Sequence, residues 1–343
     1  MSTLPNTTAW SVDERQLDPH AGIDEKLRFA LRYAVLAPSN HNTQPWHFIV
    51  DGDCMTLCAD RMRALPVVDP YDRELIISCG AALFNLRVAL SRFGLAYAIT
   101  PFPSNADPDV LAHLRVIPGG RCDKGLAALF DAIALRVTTR EIFAGEPTPP
   151  EFQRRLVDAG TAEGCDTVCI ESTASREQLA ELIGEADQTQ FKDPRFRREL
   201  ASWIHPRRLQ DGMPALSTGA RGLLDFAVPL VSSIVRTFDL GGGLAAAHQT
   251  LAAGSPLLLC IGTGTDDAAA WLAAGQALER VLLTAASEGM TASYLNQPIE
   301  VASLRERLRA ALNLDAVPQL LIRVGRGSAV PHSPRRPFAE VVS

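Results

Sequence analysis

The sequence predicts an α+β fold built from two related halves of one chain. Helices with apolar residues at helical spacing occur together with several short apolar strands, a set of elements that fits this fold class. A unit of helix, glycine and strand also occurs twice. Gly80 and Gly94 in the first copy match Gly275 and Gly289 in the second, both with an offset of 195. Two glycine pairs with the same offset favour an internal duplication. Few other residues are identical between the two copies, so a helix pattern common to both is the alternative explanation.

The elements of the first half follow from local patterns. A helix is predicted over Lys26–Leu36, because Leu27, Leu31 and Ala34 recur at helical spacing. Gly94 stands where a second helix should end. Phe48–Val50 and Cys54–Cys58 are predicted to form a two-stranded hairpin. The second helix is predicted over Leu75–Phe93, and a third strand over Leu95–Thr100.

The second half contains a long segment that the repeat does not explain. Its predicted strands are Thr167–Ile170, Leu257–Ile261 and Gln319–Val324, and its predicted helices include Leu126–Leu135 and the copy beginning at Trp271. The unmatched segment, about 185–254, is long enough to be a lid over a site, with a plain helical insertion as the alternative. We therefore predict an N-terminal arm at 1–20, a first half at 21–125 and a second half at 126–343.

Composition and charge exclude several classes of protein. Hydrophobic residues make up 47% of the chain and charged residues 21%, as in ordinary globular proteins. The net charge is −6 without a basic stripe, so we expect no nucleic-acid partner. The apolar run Phe226–Val235 is too short and too interrupted for a membrane helix. No secretory signal is recognisable, so we expect a cytoplasmic protein with a small-molecule partner.

Three other signals fail to indicate a site. Seven cysteines without a Cys-x-x-Cys pair favour reduced thiols that fill apolar space. The sequence after Leu257–Ile261 contains Gly262 and Gly264, but Asp267 stands where a dinucleotide fingerprint needs its third glycine. His41 and His47 lack cysteines at metal-ligand spacing, so we interpret them as satisfied surface or core histidines and predict no metal.

The most informative segment is the loop 37–48, which directly follows the first helix. It concentrates hydroxyl and amide groups, those of Ser39, Asn40 and Asn42, in a path stiffened by Pro38 and Pro45. Such a loop can offer donors and acceptors to a planar heterocycle. A helix-terminating turn would have the same composition.

A second motif is Arg136-Val137-Thr138-Thr139-Arg140. Two guanidinium groups around a hydroxyl suit a phosphate, because arginine binds phosphate oxygens through paired donors. The motif is common by itself. Thr148-Pro149-Pro150 then opens a helix that we predict to reach Asp158.

The order Pro-Ser-x-x-Asn-x-Gln-Pro-Trp-x-Phe closely resembles the flavin-binding loop of the nitroreductase family. The resemblance implies a nitroreductase-like fold and assigns four residues to FMN: Pro38, Ser39, Asn40 and Asn42. The arginine motif resembles the segment that grips the FMN phosphate and ribityl chain in that family, which assigns Arg136, Thr138 and Arg140. Further candidates by resemblance are Asn296 and Gln297 near the redox edge of the flavin, and Arg335 on the phosphate, with a solvated tail arginine as the alternative.

The distribution of the two motifs indicates a pseudo-dimer. In ordinary members of the family each subunit carries both motifs, whereas here the first half has only the loop and the second half only the arginine motif. The two halves therefore complete one site, and the resemblance is to the Acg branch of the superfamily. We expect one FMN per chain, in a monomer or a weak homodimer.

The resemblance implies an FMN-dependent oxidoreductase that passes hydride from NADH or NADPH to a nitroaromatic, a quinone or a similar acceptor. The cofactor would do the chemistry, so no catalytic side chain is assigned. Specificity would depend on the insertion, with Arg221, Phe226 and Phe238 as candidates. The alternatives are a flavin-sequestering protein with a lid over FMN and little turnover, and a dehydrogenase without flavin.

Overall fold

The first half of the chain builds a four-stranded antiparallel sheet. The computed structural model describes residues 6–204, 208–213, 233, 235–237 and 239–343. The strands pair in the order β1-β2-β4-β3, and the predicted β1–β2 hairpin is confirmed, with Gly52 supplying the left-handed residue of its turn at φ 59°. The elements of this half are α1 (Ile23–Ala34), β1 (Trp46–Asp51), β2 (Cys54–Ala59), α2 (Arg73–Arg92), β3 (Ala96–Pro101) and β4 (Val110–Ile117).

The first helix, α1, lies close to its predicted position. It begins three residues before Lys26 because Asp24 and Glu25 occupy its first turn, where acidic side chains favour a helix N-terminus. Its apolar face is fully buried, including Leu27 and Leu31. The helix ends at Ala34, three residues before the loop 37–48. Because the helix is packed in the core, it anchors the start of that loop.

The second half repeats the topology of the first. Its sheet has the antiparallel order β5-β6-β8-β7, which matches β1-β2-β4-β3 strand for strand. Gly94 and Gly289 follow α2 and α9 with φ of 74° and 71°, as a glycine after a helix should. The α+β fold with two halves is thus confirmed. The elements are α3 (Lys124–Ala127), α4 (Phe130–Leu135), α5 (Pro150–Thr161), β5 (Asp166–Cys169), α6 (Thr173–Lys192), α7 (Pro194–Trp203), α8 (Gly241–Ala253), β6 (Leu257–Thr263), α9 (Ala268–Ser287), β7 (Thr291–Tyr294), α10 (Gln297–Glu300), α11 (Ala302–Ala311), β8 (Val317–Gly325) and α12 (Phe338–Val341).

The two halves meet where α2 crosses α9. A Cβ atom added to Gly80 would lie 2.3 Å from the carbonyl oxygen of Leu272, and one added to Gly275 would lie 2.0 Å from that of Ile77. The two backbones therefore touch at the pair of glycines that the sequence repeat relates. This crossing is the centre of the interface between the halves.

Helix α2 is also the one described helix with the length and apolar composition of a membrane span. Of the apolar stretch that gives this helix the composition of a membrane span, 94% is buried inside the fold. It packs against α1, α3 and α9, so it serves as the central core helix.

One predicted helix was wrong in its extent. The helix predicted over Leu126–Leu135 is interrupted at 128–129, so that α3 and α4 form separate short helices, and Asp123 caps the first through the backbone N–H groups of Gly125 and Leu126. Glu185, near which the insertion is predicted to start, lies inside α6. Helix α6, which overlaps the start of the predicted insertion, packs against α8, which lies at its end. The specificity candidates Arg221, Phe226 and Phe238 lie outside the described residues.

The described segments near the N-terminus and at the C-terminus both contact the body of the fold. Trp10 stacks on His332 with ring centroids 3.9 Å apart, and its indole N–H donates to the Ser333 carbonyl oxygen at 2.8 Å. At the other end, the Ser343 backbone N–H donates to the carbonyl oxygen of Phe48 at 2.9 Å. The C-terminus of the second half therefore extends the sheet of the first.

Candidate functional site

One cavity of about 1000 Å³ is lined by residues from both halves and from the insertion. All ten residues predicted from the sequence line it, although they come from four separate stretches of the chain. From the first half come Pro38, Ser39, Asn40 and Asn42, and from the second half Arg136, Thr138, Arg140, Asn296, Gln297 and Arg335. The fold thus brings both sequence motifs to one place.

The loop 37–48 has an unusual backbone. Asn42 and Gln44 have φ of 55° and 53°, a left-handed conformation that costs about 1–3 kcal/mol for residues other than glycine. The surroundings hold it: Ser39 Oγ accepts a hydrogen bond from the Gln44 backbone N–H at 2.9 Å. The Asn42 side-chain amide donates to the carbonyl oxygens of Gly212 and Pro334, both at 3.0 Å. The amide of Asn42 therefore fixes the loop, and its contact with a flavin stays a prediction.

Asn40 ties the same loop to α2. Its side-chain amide donates to Glu74 Oε2, and its backbone N–H donates to Ser78 Oγ at 3.3 Å. Burial raises the pKa of the Glu74 carboxyl well above its ordinary value. Trp46 and Phe48 are fully buried behind the loop, so the loop is pressed against the core on one side and lines the cavity on the other.

The arginine motif runs alongside β7. Thr138 forms an isolated bridge with Ala292, and the Thr139 backbone N–H donates to the Ala292 carbonyl oxygen at 3.1 Å. Arg136 is buried, and its Nη2 donates to the carbonyl oxygen of Leu36 at 3.2 Å, at the end of α1. A residue of the second half therefore contacts the segment that leads into the loop of the first half.

The cavity has a cationic end. Burial lowers the pKa of Arg140, and it lowers those of Arg323 to about 10 and Arg335 to about 9, with neighbouring arginines adding to the effect for the last two. A lowered arginine pKa indicates that positively charged groups lie close together where little water reaches them. An anion bound there would relieve it, which suits a phosphate.

Arg335 is buried, with 2% of its surface exposed, so the alternative of a solvated tail arginine was wrong. Its guanidinium donates to the carbonyl oxygens of Val35, Leu36 and Ala37 at 2.9–3.1 Å, and to Asn42 Oδ1 at 3.1 Å. A cation is favourable at a helix C-terminus, where the last carbonyls lack partners. Arg335 thus fastens the loop to α1, and its contact with a phosphate stays a prediction.

Several cavity-lining side chains carry a buried polar atom without a hydrogen-bond partner among the residues described. Buried polar atoms are normally satisfied, so a group of them around one cavity indicates a polar ligand. The interpretation of His41 as a satisfied histidine was therefore wrong. Burial and the neighbouring Arg140 lower its pKa to about 3. The atoms are His41 Nδ1, Arg136 Nε, Tyr294 Oη, Gln297 Oε1 and Arg323 Nε.

A buried carboxylate lies beneath the arginines. Glu279, on α9, is fully buried, and its Oε1 is 3.6 Å from Arg136 Nε. Burial raises the pKa of this carboxyl to about 7 although Arg136 opposes the shift. The positive charge of Arg136 is therefore only partly balanced within the protein.

The residues predicted near the redox edge follow β7. Asn296 Oδ1 accepts a hydrogen bond from the Leu321 backbone N–H at 2.9 Å, so this side chain also fixes the backbone. Gln297 begins α10, and its Nε2 lies 3.0 Å from His248 Nδ1. Gln297 thus joins the second half to the insertion.

The insertion supplies the remaining wall. His248 Nδ1 lies 2.8 Å from Asp187 Oδ2, and Gln190 Nε2 donates to Glu300 Oε2 at 2.6 Å. Around these polar groups the wall is apolar, with Phe191, Phe196, Leu200, Ile204, Leu240, Leu244 and Leu251 among the lining residues. The cavity therefore has a cationic end and a mostly apolar end.

Sequence reasoning missed many of the lining residues, among them the polar residues Arg323, His41 and His248. Arg323 had a signal, because a charged residue interrupts the apolar strand Leu320–Val324. His41 stands inside the loop but lacked a metal pattern. His248 had no signal, since its partner Asp187 is on another helix and only the fold brings them together.

Comparison with known proteins identifies relatives over nearly the whole chain. The model of the nitroreductase family matches residues 133–326. "Putative NAD(P)H nitroreductase Rv3131" of Mycobacterium tuberculosis is 32% identical over 334 residues, which cover 95% of this chain and 93% of the relative. "Putative NAD(P)H nitroreductase acg" of the same organism is 29% identical, with 92% and 94% covered. "Probable NAD(P)H nitroreductase PigM" of a Serratia species is 26% identical, with 93% and 94% covered.

Proposed function

The chain belongs to the nitroreductase family, and from this membership we propose that it binds one FMN in the described cavity and acts as an NAD(P)H-dependent oxidoreductase. The acceptor would be a nitroaromatic, a quinone or another electron-poor small molecule. When bound, FMN supplies a carrier for two electrons between a nicotinamide and that acceptor. The chain's own residues bind and orient the partners.

One observation carries the proposal: both sequence motifs line a single cavity, and among the residues described that cavity has two buried guanidinium N–H groups without a hydrogen-bond partner, Arg136 Nε and Arg323 Nε. Arg136, Thr138 and Arg140 would hold the phosphate at the cationic end, since guanidinium groups bind phosphate oxygens in pairs. Pro38, Ser39, Asn40 and Asn42 would hold the ring system, with Asn296 and Gln297 near its redox edge. Arg335 would add positive charge behind the phosphate.

The insertion supports a second candidate, a flavin-sequestering protein. Helices α6 and α8 form a wall of the cavity through Asp187, Phe191 and His248. A wall that stays in place over the flavin would exclude a nicotinamide, whereas an open face would admit one. Both candidates use the same cofactor residues and differ only in access.

The experiment is reduction of the FMN-loaded protein under anaerobic conditions. We expect NADH or NADPH to bleach the flavin absorbance within seconds, since the enzyme must accept hydride from a nicotinamide. Bleaching by dithionite alone would contradict the oxidoreductase and support sequestration. A purified protein that holds no flavin, and binds none when FMN is added, would contradict both.

Two further statements belong to the proposal. The chain would work as a monomer or a weak homodimer, because one chain carries both motifs of the site, and its other partners are small molecules. We also propose a cytoplasmic location, where nicotinamide cofactors are available.

A further inference from the structure

A buried carboxyl group lies behind the cationic end of the cavity, and the proposed binding of FMN assigns no role to it. Glu279 belongs to α9 and is fully buried. Arg136 lines the cavity, and its Nε is 3.6 Å from Glu279 Oε1. One guanidinium group therefore adjoins both the buried carboxyl group and the proposed phosphate site.

The contact between these two side chains is incomplete. Arg136 Nε and both carboxyl oxygens of Glu279 are buried and make no hydrogen bond with any residue that the structure describes. Asn85, on α2, lies beside the carboxyl group, but its amide donates to the Tyr33 carbonyl oxygen at 3.3 Å. Buried polar atoms normally have partners. The carboxyl group thus leaves Arg136 with a donor for a second anion.

The charge of Glu279 depends on its surroundings. Burial raises the pKa of its carboxyl to about 7, although Arg136 and Arg335 favour the ionised form. Tyr294, on β7, also faces this group within the described chain, and burial raises the pKa of its hydroxyl, so it stays neutral near pH 7. The carboxyl group therefore changes charge close to neutral pH, beside an arginine that the cofactor would use.

We propose that Glu279 competes with the FMN phosphate for Arg136, so that FMN binds tightly while the carboxyl group is protonated and more weakly once it is ionised. The phosphate carries close to two negative charges above pH 7, because its second pKa is about 6. Two anions beside one guanidinium group repel each other strongly where little water reaches them. Binding of FMN should therefore draw a proton from the solvent onto Glu279.

Glu279 is thus a positioning residue that acts through Arg136 and makes cofactor binding depend on pH. This inference rests on the proposed function, because it requires that FMN binds in the cavity.

The test compares the wild type with Glu279→Gln, which keeps the shape of the side chain and cannot ionise. Bound flavin is removed, and the dissociation constant for FMN is measured by fluorescence titration at pH 6 and pH 8. At pH 6 most of the Glu279 carboxyl is protonated, so both proteins should bind alike. At pH 8 the wild type should bind about tenfold more weakly than the variant, since about nine-tenths of its carboxyl groups must first take up a proton.

Glu288→Gln is the matched control. Glu288 directly follows α9, is exposed and pairs with Arg155 at 2.7 Å. This variant should keep the wild-type dissociation constant at both pH values, because its carboxylate lies at the surface and not beside Arg136.

A second measurement needs no variant. Calorimetry of FMN binding at pH 8, in Hepes and in Tris, gives the number of protons taken up, because the two buffers differ in their heat of ionisation. The wild type should take up about one proton per FMN, and Glu279→Gln about one fewer.

Three outcomes would overturn the inference. The first is a dissociation constant that changes equally with pH in the wild type and in Glu279→Gln, and the second is proton uptake that the substitution leaves unchanged. The third is the same pH-dependent difference with riboflavin, which lacks the phosphate, because Glu279 would then act through the fold. A wild type that binds no FMN at either pH would contradict the proposed function itself, whereas FMN binding without the pH effect would contradict only the role of Glu279.

Discussion

At the scale of residues, the cationic end of the cavity decides whether the cofactor stays bound. Arg136→Ala combined with Arg140→Ala should strip FMN from the purified protein, because a buried phosphate loses its charged donors. Each guanidinium contributes about 1.5–3 kcal/mol, so affinity should fall roughly ten- to hundredfold per substitution. The measurement is the ratio of flavin to protein absorbance after gel filtration.

The matched control for that variant is Arg195→Ala. Arg195 is exposed, and within the part of the chain that the structure describes its ion-pair partner is Asp193 in its own turn, so this substitution should leave the flavin ratio unchanged. Full occupancy in the double variant would overturn the assignment of the two arginines.

Glu279 predicts a dependence of stability on pH. Its pKa is raised from 4.5 to about 7, so the unfolded state ionises first and stability is lost as the pH rises between these two values. Glu279→Gln cannot ionise and avoids this cost. The unfolding free energy of the variant, relative to the wild type, should therefore increase by about 3 kcal/mol from pH 4.5 to pH 7.5.

Urea unfolding at a series of pH values provides this comparison. His41, whose pKa is lowered, titrates with the opposite sign, but it is present in both proteins and cancels in the difference. The exposed Glu181→Gln, inside α6, is the control and should show no such trend. A constant difference between variant and wild type would show that Glu279 does not titrate in this window.

The sequence predicted the members of the site better than their contacts. All ten predicted residues line the cavity because the motifs preserve their order along the chain. The structure nevertheless shows Asn42, Asn296 and Arg335 bonded to backbone carbonyl or N–H groups. A motif does not distinguish a residue that touches a ligand from one that shapes the loop around it.

At the scale of elements, the crossing of α2 and α9 depends on two glycines. Gly275→Ala would place a methyl group 2.0 Å from the Ile77 carbonyl oxygen, and a backbone atom cannot move aside as a flexible side chain can. We expect the unfolding free energy to fall by about 1–3 kcal/mol or more. Denaturant unfolding of the variant measures this loss.

Gly243→Ala is the control for that prediction. Gly243 lies in the first turn of α8, and a Cβ atom there would meet nothing within 4 Å. Alanine favours a helix over glycine by up to about 1 kcal/mol, so this variant should be as stable as the wild type or more so. Equal stability of both alanine variants would show that the crossing is looser than described.

The elements also show where sequence patterns stop. Most strands could be predicted from apolar runs and turn residues, such as Gly52 between β1 and β2, but β4 over Val110–Ile117 was not predicted. The interruption between α3 and α4 could not, because residues 126–135 continue the apolar spacing and nothing in them marks a break. The start of the insertion near Glu185 stays a prediction, because α6 continues through that residue without a change in composition.

At the scale of the whole molecule, one chain should carry one complete site. We expect a particle of 37.0 kDa in solution that contains one FMN. Light scattering coupled to gel filtration, together with flavin release by denaturation, measures both quantities. Two FMN per chain would contradict the complementary halves, and a stable dimer would contradict the monomer.

The covalent link between the halves changes how the site responds to dilution. In a protein assembled from two separate chains, a site shared between subunits is lost once the concentration falls below the dissociation constant of the dimer. Here Arg136 and the loop 37–48 belong to one polypeptide, so each meets the other at an effective concentration of the order of millimolar or higher, whatever the protein concentration. A cell could therefore keep very few copies of this chain without losing the architecture on which cofactor binding depends.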